Sequence, residues 1–577
     1  MDFRNVNMVW ASVVAETLHH LGLEMAVICP GSRSAPLAIA FAQHPAIHSI
    51  PVLDERSAAF FALGRARRTG KPVVLICSSG TAGANFYPAV IEAREGRVPL
   101  LVLTGDRPPE LRDCNAGQTI DQQKLFGHYP NRFYDLAVPS VELSMLAYLR
   151  QTIQQAWEQT QYPVPGAVHL NCPFRDPLAP LPQVEAQQLA EHFNAEEFFA
   201  GLEPLTPSVF PAPVAPLKLP TTERGIIVAG PAQPLSPQHY GEAIAHLSKT
   251  LGFPVLAEGL SPLRNYADLN PYLISTYDLI LRNSQEAEAL APEVVIRVGE
   301  TPTSKVLRGW LQTVQPFQWM LDASDRNLDP LHLRTRHLRQ SVEQIAAQLQ
   351  QEPSPPSAYL QRWNEMELQM RQRLDTTLEG MDDWLEGKVA WLLSQSLPEK
   401  TPLFIANSMS VRYVEWFWQP GRSCIQPYFN RGANGIDGTL STALGMVQGD
   451  RPGVLLTGDL ALLHDTNGFL LGQKLNGHLT IVLINNHGGG IFETLPISHF
   501  NPPFEEYFAT PQEIDFEQLA NVYKVQYEKI HSWAHLKTCL RTLPLQGIRV
   551  LEVKCDRKRD AQWLRSHLNF IGDASLC

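Results

Sequence analysis

Only 18% of the 577 residues are charged, and 47 lysines and arginines against 58 aspartates and glutamates leave a net charge of −11. A dedicated nucleic-acid binder carries a basic face, so this balance speaks against that class. No apolar run approaches the ~20 residues that a membrane-spanning helix needs. The N-terminal stretch MDFRNVNMVWASVVAETLHH mixes polar and apolar residues instead of showing a signal peptide's apolar block. The expectation is a cytoplasmic protein that engages neither membrane nor nucleic acid. Eight cysteines are scattered without a C-x-x-C pair, which argues against a disulfide frame or zinc ribbon. The G-x-S-x-G, H-E-x-x-H and phosphate-loop lysine motifs are absent as well.

With 44% hydrophobic residues, the chain has the material for several cores. Short apolar runs bounded by Gly, Pro, Ser or Asp alternate with helix-like segments throughout. The spacing predicts strands at 26–29, 50–53, 73–77, 100–104 and 167–171. Others are expected at 225–229, 255–258, 279–281, 294–298 and 319–322, and finally at 403–406, 453–457, 480–484 and 549–553. Near-continuous apolar strands alternating with helices suit parallel sheets covered on both faces. The fold class expected is α/β, with three doubly wound parallel-sheet domains at 1–185, 205–350 and 357–577. The proline-rich stretch Leu205–Pro220 reads as a semi-rigid linker, and Gln350–Pro356 marks the second boundary.

Two dipeptides carry chemistry. Gly458-Asp459 closes one apolar strand and Asn485-Asn486 closes another, with 27 positions from Asp459 to Asn486. Ligands of open α/β sheets collect at the carboxyl ends of strands. A carboxylate, an amide oxygen and backbone carbonyls together suit Mg²⁺, and Gly488–Gly490 allow close backbone approach. Taken singly, each dipeptide also reads as an ordinary turn. Glu55 lies between a strand and the helix expected from Ser57, where Asp54 and Glu55 also read as simple helix-capping acids. The run Ser78–Asn85 is a small-residue turn suited to a ligand or to plain capping. His19-His20 reads as structural.

The paired strand-end signature resembles that of thiamine diphosphate enzymes. The segments CPGSRSAPL (29–37), LDERSAAFFALG (53–64), TGDRPPELRD (104–113), RVGETPTSK (297–305), NSMSVR (407–412), NRGANGIDG (430–438), GDLALLHD (458–465) and NNHGGGIF (485–492) are similar to one branch of that family. That branch joins 2-oxoglutarate to isochorismate, with loss of CO₂, in menaquinone and phylloquinone biosynthesis. Leu460, in place of the commoner glycine, is usual there.

The resemblance implies thiamine diphosphate and Mg²⁺ (or Mn²⁺) as cofactors. It implies Glu55 as the acid that hydrogen-bonds the aminopyrimidine and activates the cofactor. Asp459, Asn486 and Gly488 would hold the metal. Ser408, Ile436, Gly458, Asp459, Leu460 and Asn486 would contact the cofactor, Ile436 as the bulky prop beneath it. Ser32, Arg33, Arg107, Gln118, Lys305, Arg412 and Arg431 would bind substrates, with Ile491 and Phe492 walling the reacting centre. Four substrate carboxylates explain the recurrence of arginine, whose planar fork matches a carboxylate. A homodimer or homotetramer is implied too.

Overall fold

The computed structural model describes residues 1–204, 219–220, 222–349 and 353–572. Most of the expected 205–220 linker, and residues 350–352 of the second boundary, lie outside the described residues. Three six-stranded, all-parallel sheets organise the chain, as the alternation of apolar runs and helices predicts.

The first sheet comprises β1 (Met25–Ile28), β2 (His48–Pro51), β3 (Val73–Cys77), β4 (Leu100–Asp106), β5 (Arg132–Asp135) and β6 (Ala167–Pro173), in the order β2-β1-β3-β4-β6-β5. The second comprises β7 (Gly225–Ala229), β8 (Val255–Ala257), β9 (Leu273–Ile274), β10 (Val294–Val298), β11 (Phe317–Leu321) and β12 (Arg334–Leu338), in the order β12-β11-β10-β7-β8-β9. The third comprises β13 (Pro402–Ile405), β14 (Gln426–Tyr428), β15 (Gly453–Gly458), β16 (His478–Asn485), β17 (Gln526–Lys529) and β18 (Gly547–Lys554), in the order β14-β13-β15-β16-β18-β17. The first and third sheets therefore share one topology, with the strand order reversing beside the opening strand. In such sheets the crevice outside the strand ends at that reversal receives ligands.

The expected strand at 279–281 is corrected: Tyr277–Ile280 forms a short helix. Tyr277, Leu279 and Ile280 are fully enclosed, and an apolar run buried all round carries no periodicity to separate strand from helix. Five strands escaped the apolar pattern, namely β5, β9, β12, β14 and β17, and every one is a sheet edge. Edge strands are short or polar; Arg132–Asp135 and Gln526–Lys529 bury no residue fully. The remaining edge, β2, lies two residues earlier than expected.

The chain divides into two compact units, Met1–Val209 with Asn430–Asp450 and His464–Gly477, and the remainder. Within the first unit, the helix Glu55–Thr69 packs against the helix Thr439–Val447. A Cβ on Gly64 would sit 2.0 Å from the Thr442 carbonyl oxygen, and one on Gly445 would sit 1.9 Å from that of Phe61. Helix separation is set by the side chains at the contact; here each helix offers a glycine to the other's backbone. The segment 430–438 is thereby carried into the unit that holds Glu55.

Within the second unit, the fully buried Arg264 joins the second sheet to the helix Met409–Phe417. Its guanidinium donates to the carbonyls of Ala257 (2.9 Å) and Glu415 (2.7 Å) and to the Glu415 carboxylate (3.2 Å). Breaking such a buried pair would leave an uncompensated charge.

Candidate active site

In the first unit the expected residues cluster at carboxyl ends of strands. Asp54 caps the helix Glu55–Thr69, accepting the Ser57 N–H at 3.2 Å. The capping role therefore falls to Asp54, and Glu55 opens the helix half-buried. Burial, with the charge of Asp54 adding to it, pushes the Glu55 carboxyl above its ordinary range, while its own backbone N–H pulls the other way. Arg56 donates to the His464 carbonyl (2.8 Å), and Asn467 to the Asp54 carboxylate (2.6 Å). The segment after His464 is thus fastened to the helix end that bears Glu55.

Arg33 follows β1 and is buried. It donates to the Phe174 carbonyl at 2.8 Å and stands 3.9 Å from Asp176, while its Nε is enclosed without a partner. Burial and the neighbouring Arg107 guanidinium both lower its pKa. Two cations converge there, as an anionic ligand requires. Ser32 is exposed beside Arg33. Arg107 follows β4, donating to the Ser79 hydroxyl and, at 3.2 Å, to the Gln118 carbonyl. Gln118 in turn donates to the Ser79 carbonyl at 2.9 Å. Ser79, in the turn between β3 and the short helix Thr81–Asn85, therefore ties Arg107 and Gln118 together. Arg431 and Ile436 belong to this unit as well. The loop that bears them is pinned by the buried Glu92, which accepts the N–H of Gly432 (3.0 Å) and of Ala433 (2.7 Å).

The second unit holds the metal-type cluster. Asp459 is buried at the end of β15. Its Oδ2 accepts the Gly488 N–H and its Oδ1 the Leu460 N–H, at 2.8 and 2.7 Å. Burial raises the Asp459 pKa, partly offset by these N–H groups. Gly488 has φ +127°, and a Cβ there would stand 2.3 Å from the Ala509 carbonyl oxygen, so only glycine fits. Asn486, just past β16, donates through Nδ2 to Glu386 Oε1 at 2.8 Å, while its Oδ1 is enclosed without a partner. A buried polar atom left unsatisfied costs about 1–3 kcal/mol. A carboxylate, an orphaned amide oxygen and a glycine carbonyl form an all-oxygen donor set that fits a hard divalent cation.

Ser408, at the carboxyl end of β13, adopts φ +69° and ψ −124°, a conformation few non-glycine residues hold outside functional sites. Its carbonyl accepts from Arg412. Arg412 and Lys305 line one cavity of about 480 Å³, together with Arg282 and Arg565 and the acids Asp278 and Glu415. Ile491 and Phe492 lie in the turn of helix Gly490–Glu493, after the glycine run. Phe492 packs edge-on against Phe508 at 5.9 Å.

The sequence reading missed Glu386, Arg282 and Arg565. Glu386 precedes Asn486 by 100 positions, and Arg565 lies on the terminal helix Arg557–Gly572. No local motif marks either; only packing brings them in. Burial pushes the Glu386 carboxyl above its ordinary range, with hydrogen bonds from Asn486 and Tyr413 opposing and the Asp459 charge reinforcing.

Residues 8–125 match the thiamine pyrophosphate enzyme N-terminal TPP binding domain, and residues 213–405 match the middle domain of thiamine pyrophosphate enzymes. Proteins named 2-succinyl-5-enolpyruvyl-6-hydroxy-3-cyclohexene-1-carboxylate synthase are similar over the whole chain. Those of Nostoc sp. and Trichormus variabilis are each 61% identical, over 576 and 577 residues, covering 99% of this chain and 99% of the relative. That of Rippkaea orientalis is 57% identical over 573 residues, covering 99% of this chain and 97% of the relative. With strand-end acids and amides disposed as described and identity running end to end, the chain belongs to the 2-succinyl-5-enolpyruvyl-6-hydroxy-3-cyclohexene-1-carboxylate synthase family of thiamine diphosphate enzymes.

Proposed function

We propose that this chain decarboxylates 2-oxoglutarate and adds the resulting four-carbon succinyl unit to isochorismate by conjugate addition. The product would be 2-succinyl-5-enolpyruvyl-6-hydroxy-3-cyclohexene-1-carboxylate, with CO₂, on the way to menaquinone or phylloquinone. Thiamine diphosphate, when bound, supplies the electron sink that such a decarboxylation needs.

The observation that carries this reading is the enclosed, partnerless Oδ1 of Asn486 beside Asp459 and Gly488. Those three residues would hold Mg²⁺ or Mn²⁺, and through it a diphosphate. Gly458, Leu460 and Ser408 would border the cofactor from the strand ends, and Ile436 would prop it. Glu55 would hold and move a proton at its carboxyl, whose pKa burial raises, the direction that an acid–base role calls for.

Arg33, Arg107, Arg412, Arg431 and Lys305 would orient the substrate carboxylates, with Ser32 and Gln118 adding neutral hydrogen bonds. Fixing two substrates in register accounts for a large share of such a rate gain. Ile491 and Phe492 would keep water from the reacting carbon. We further propose the three-domain division 1–185, 205–350 and 357–577, a homodimer or homotetramer, and a cytoplasmic setting. Among the described residues no helix is long and apolar enough to cross a membrane.

The test mixes purified protein with thiamine diphosphate, Mg²⁺ and 2-oxoglutarate, with and without isochorismate, and follows CO₂ and product mass. Isochorismate-dependent turnover to the succinyl adduct, lost in Glu55→Gln by about 10²–10⁴-fold, is the expected result. Turnover of a different 2-oxo acid without the adduct would overturn the substrates.

A further inference from the structure

An asparagine side chain presents an oxygen on one side and an NH₂ on the other, and only the oxygen ligates a hard cation. Something must decide which end faces the metal. Asn486 points its NH₂ at Glu386 Oε1, 2.8 Å away, and leaves Oδ1 enclosed and unpartnered. A carboxylate oxygen is a fitting acceptor for that NH₂. With the amide turned over, two oxygens would face each other inside the protein.

Glu386 is itself held from several sides. It opens the helix Glu386–Ser396, is 2% exposed, and takes a hydrogen bond from the Tyr413 hydroxyl. Its own backbone N–H donates to Asp560 Oδ1 at 2.8 Å. Gly490 completes the seat, since a Cβ there would stand 2.7 Å from Asn486 Nδ2.

We propose that Glu386 is the positioning residue that fixes the amide of Asn486 with its oxygen toward the divalent cation. This rests on the metal site proposed above. Partners that orient a metal's ligands typically affect metal affinity 10–100-fold when altered. The role concerns the cation alone, and it can be read without turnover.

The experiment titrates Mn²⁺ into the full-length protein with thiamine diphosphate present, counting free Mn²⁺ by electron paramagnetic resonance. The variants are Glu386→Gln, Asn486→Ala, Asn486→Asp and the double E386Q/N486D, with the thermal midpoint of the metal-free protein recorded for each. Glu386→Gln is expected to weaken Mn²⁺ binding about 10–100-fold. Asn486→Asp, although it adds ligand charge, is expected to weaken binding too, because it sets a second carboxylate against Glu386. The double variant reverses donor and acceptor and is expected to recover most of the affinity lost in Asn486→Asp. A purely structural role would lower the thermal midpoint without that recovery.

Unchanged Mn²⁺ affinity in Glu386→Gln, with affinity lost in Asn486→Ala, would overturn the positioning role and leave the metal site standing. Unchanged affinity in Asn486→Ala would overturn the metal site and the proposal with it. If Glu386→Gln does not fold, Tyr413→Phe decides: a several-fold weaker affinity supports the role, and none overturns it.

Discussion

The carboxylate of Glu92 lies 3.1 Å from the guanidinium of Arg67, both buried, and the same carboxylate holds the backbone of Gly432 and Ala433. One side chain thus neutralises an internal cation and anchors the loop that carries Arg431 and Ile436. Removing either partner of a buried pair costs about 3–5 kcal/mol, because the other charge stays behind. Glu92→Ala should therefore lower the thermal midpoint by on the order of 10 °C. The double variant with Arg67→Met should lose less than the two single variants added together. Differential scanning calorimetry of the four proteins checks both.

The crossing of Glu55–Thr69 with Thr439–Val447 makes a second prediction. Gly445→Val would drive side-chain atoms into the Phe61 carbonyl, where neighbouring backbone cannot yield, so little folded protein should be recovered. Gly309 lies within the helix Lys305–Val314 with nothing within 4 Å of an added Cβ. Gly309→Ala should instead stabilise, by about 0.5–1 kcal/mol. Soluble yield and thermal midpoint distinguish the two outcomes.

Asp465 sets a pH dependence. It is fully buried, accepts the Ser441 N–H (2.7 Å) and hydroxyl (3.1 Å), and burial pushes its carboxyl from 3.8 up to about 6. The folded state therefore holds this proton more tightly than the unfolded chain does. Between about pH 4 and 6 the unfolded state binds fewer protons, so stability falls as pH rises through that window. Two pKa units correspond to roughly 3 kcal/mol. Asp465→Asn keeps an acceptor for Ser441 without a charge to bury. Its thermal midpoint relative to the parent should be higher at pH 7.5 than at pH 4.5, and a pH-independent difference would contradict this.

Arg565 enters the Lys305–Arg412 cavity from the terminal helix while donating to the Glu493 carbonyl at 3.0 Å. A charge-assisted hydrogen bond contributes about 1.5–3 kcal/mol. Arg565→Ala should weaken the hold on one or both substrates, raising the Michaelis constant by about 10–100-fold with kcat little changed. Steady-state kinetics with each substrate varied in turn reads this, and an unchanged Michaelis constant for both would remove Arg565 from substrate binding.

Central strands were legible because burial on both faces writes itself as an apolar run: Val73–Cys77, Gly225–Ala229 and Val294–Val298 fall where the pattern puts them. Edge strands such as Arg132–Asp135 were not, since a half-exposed strand needs no such run. The helix Tyr277–Ile280 misled for the opposite reason, since it is buried on every side and the run Leu279-Ile280-Leu281 is wholly apolar.

The site divides in the same way. Glu55, Asp459 and Asn486 could be named as candidates from sequence because each is a particular side chain at a particular strand or helix end, in a segment that carries the family resemblance. Glu386, Glu92 and Arg565 could not. Each acts by standing against a residue far away in the chain, and nothing near it in sequence records that neighbour. Sequence by itself determined which groups of ligand-binding type stand at strand and helix ends, since strand-end position and side-chain type are both written locally. Only the tertiary structure decided what holds those groups in their orientations, because that depends on which distant segments pack within hydrogen-bond distance.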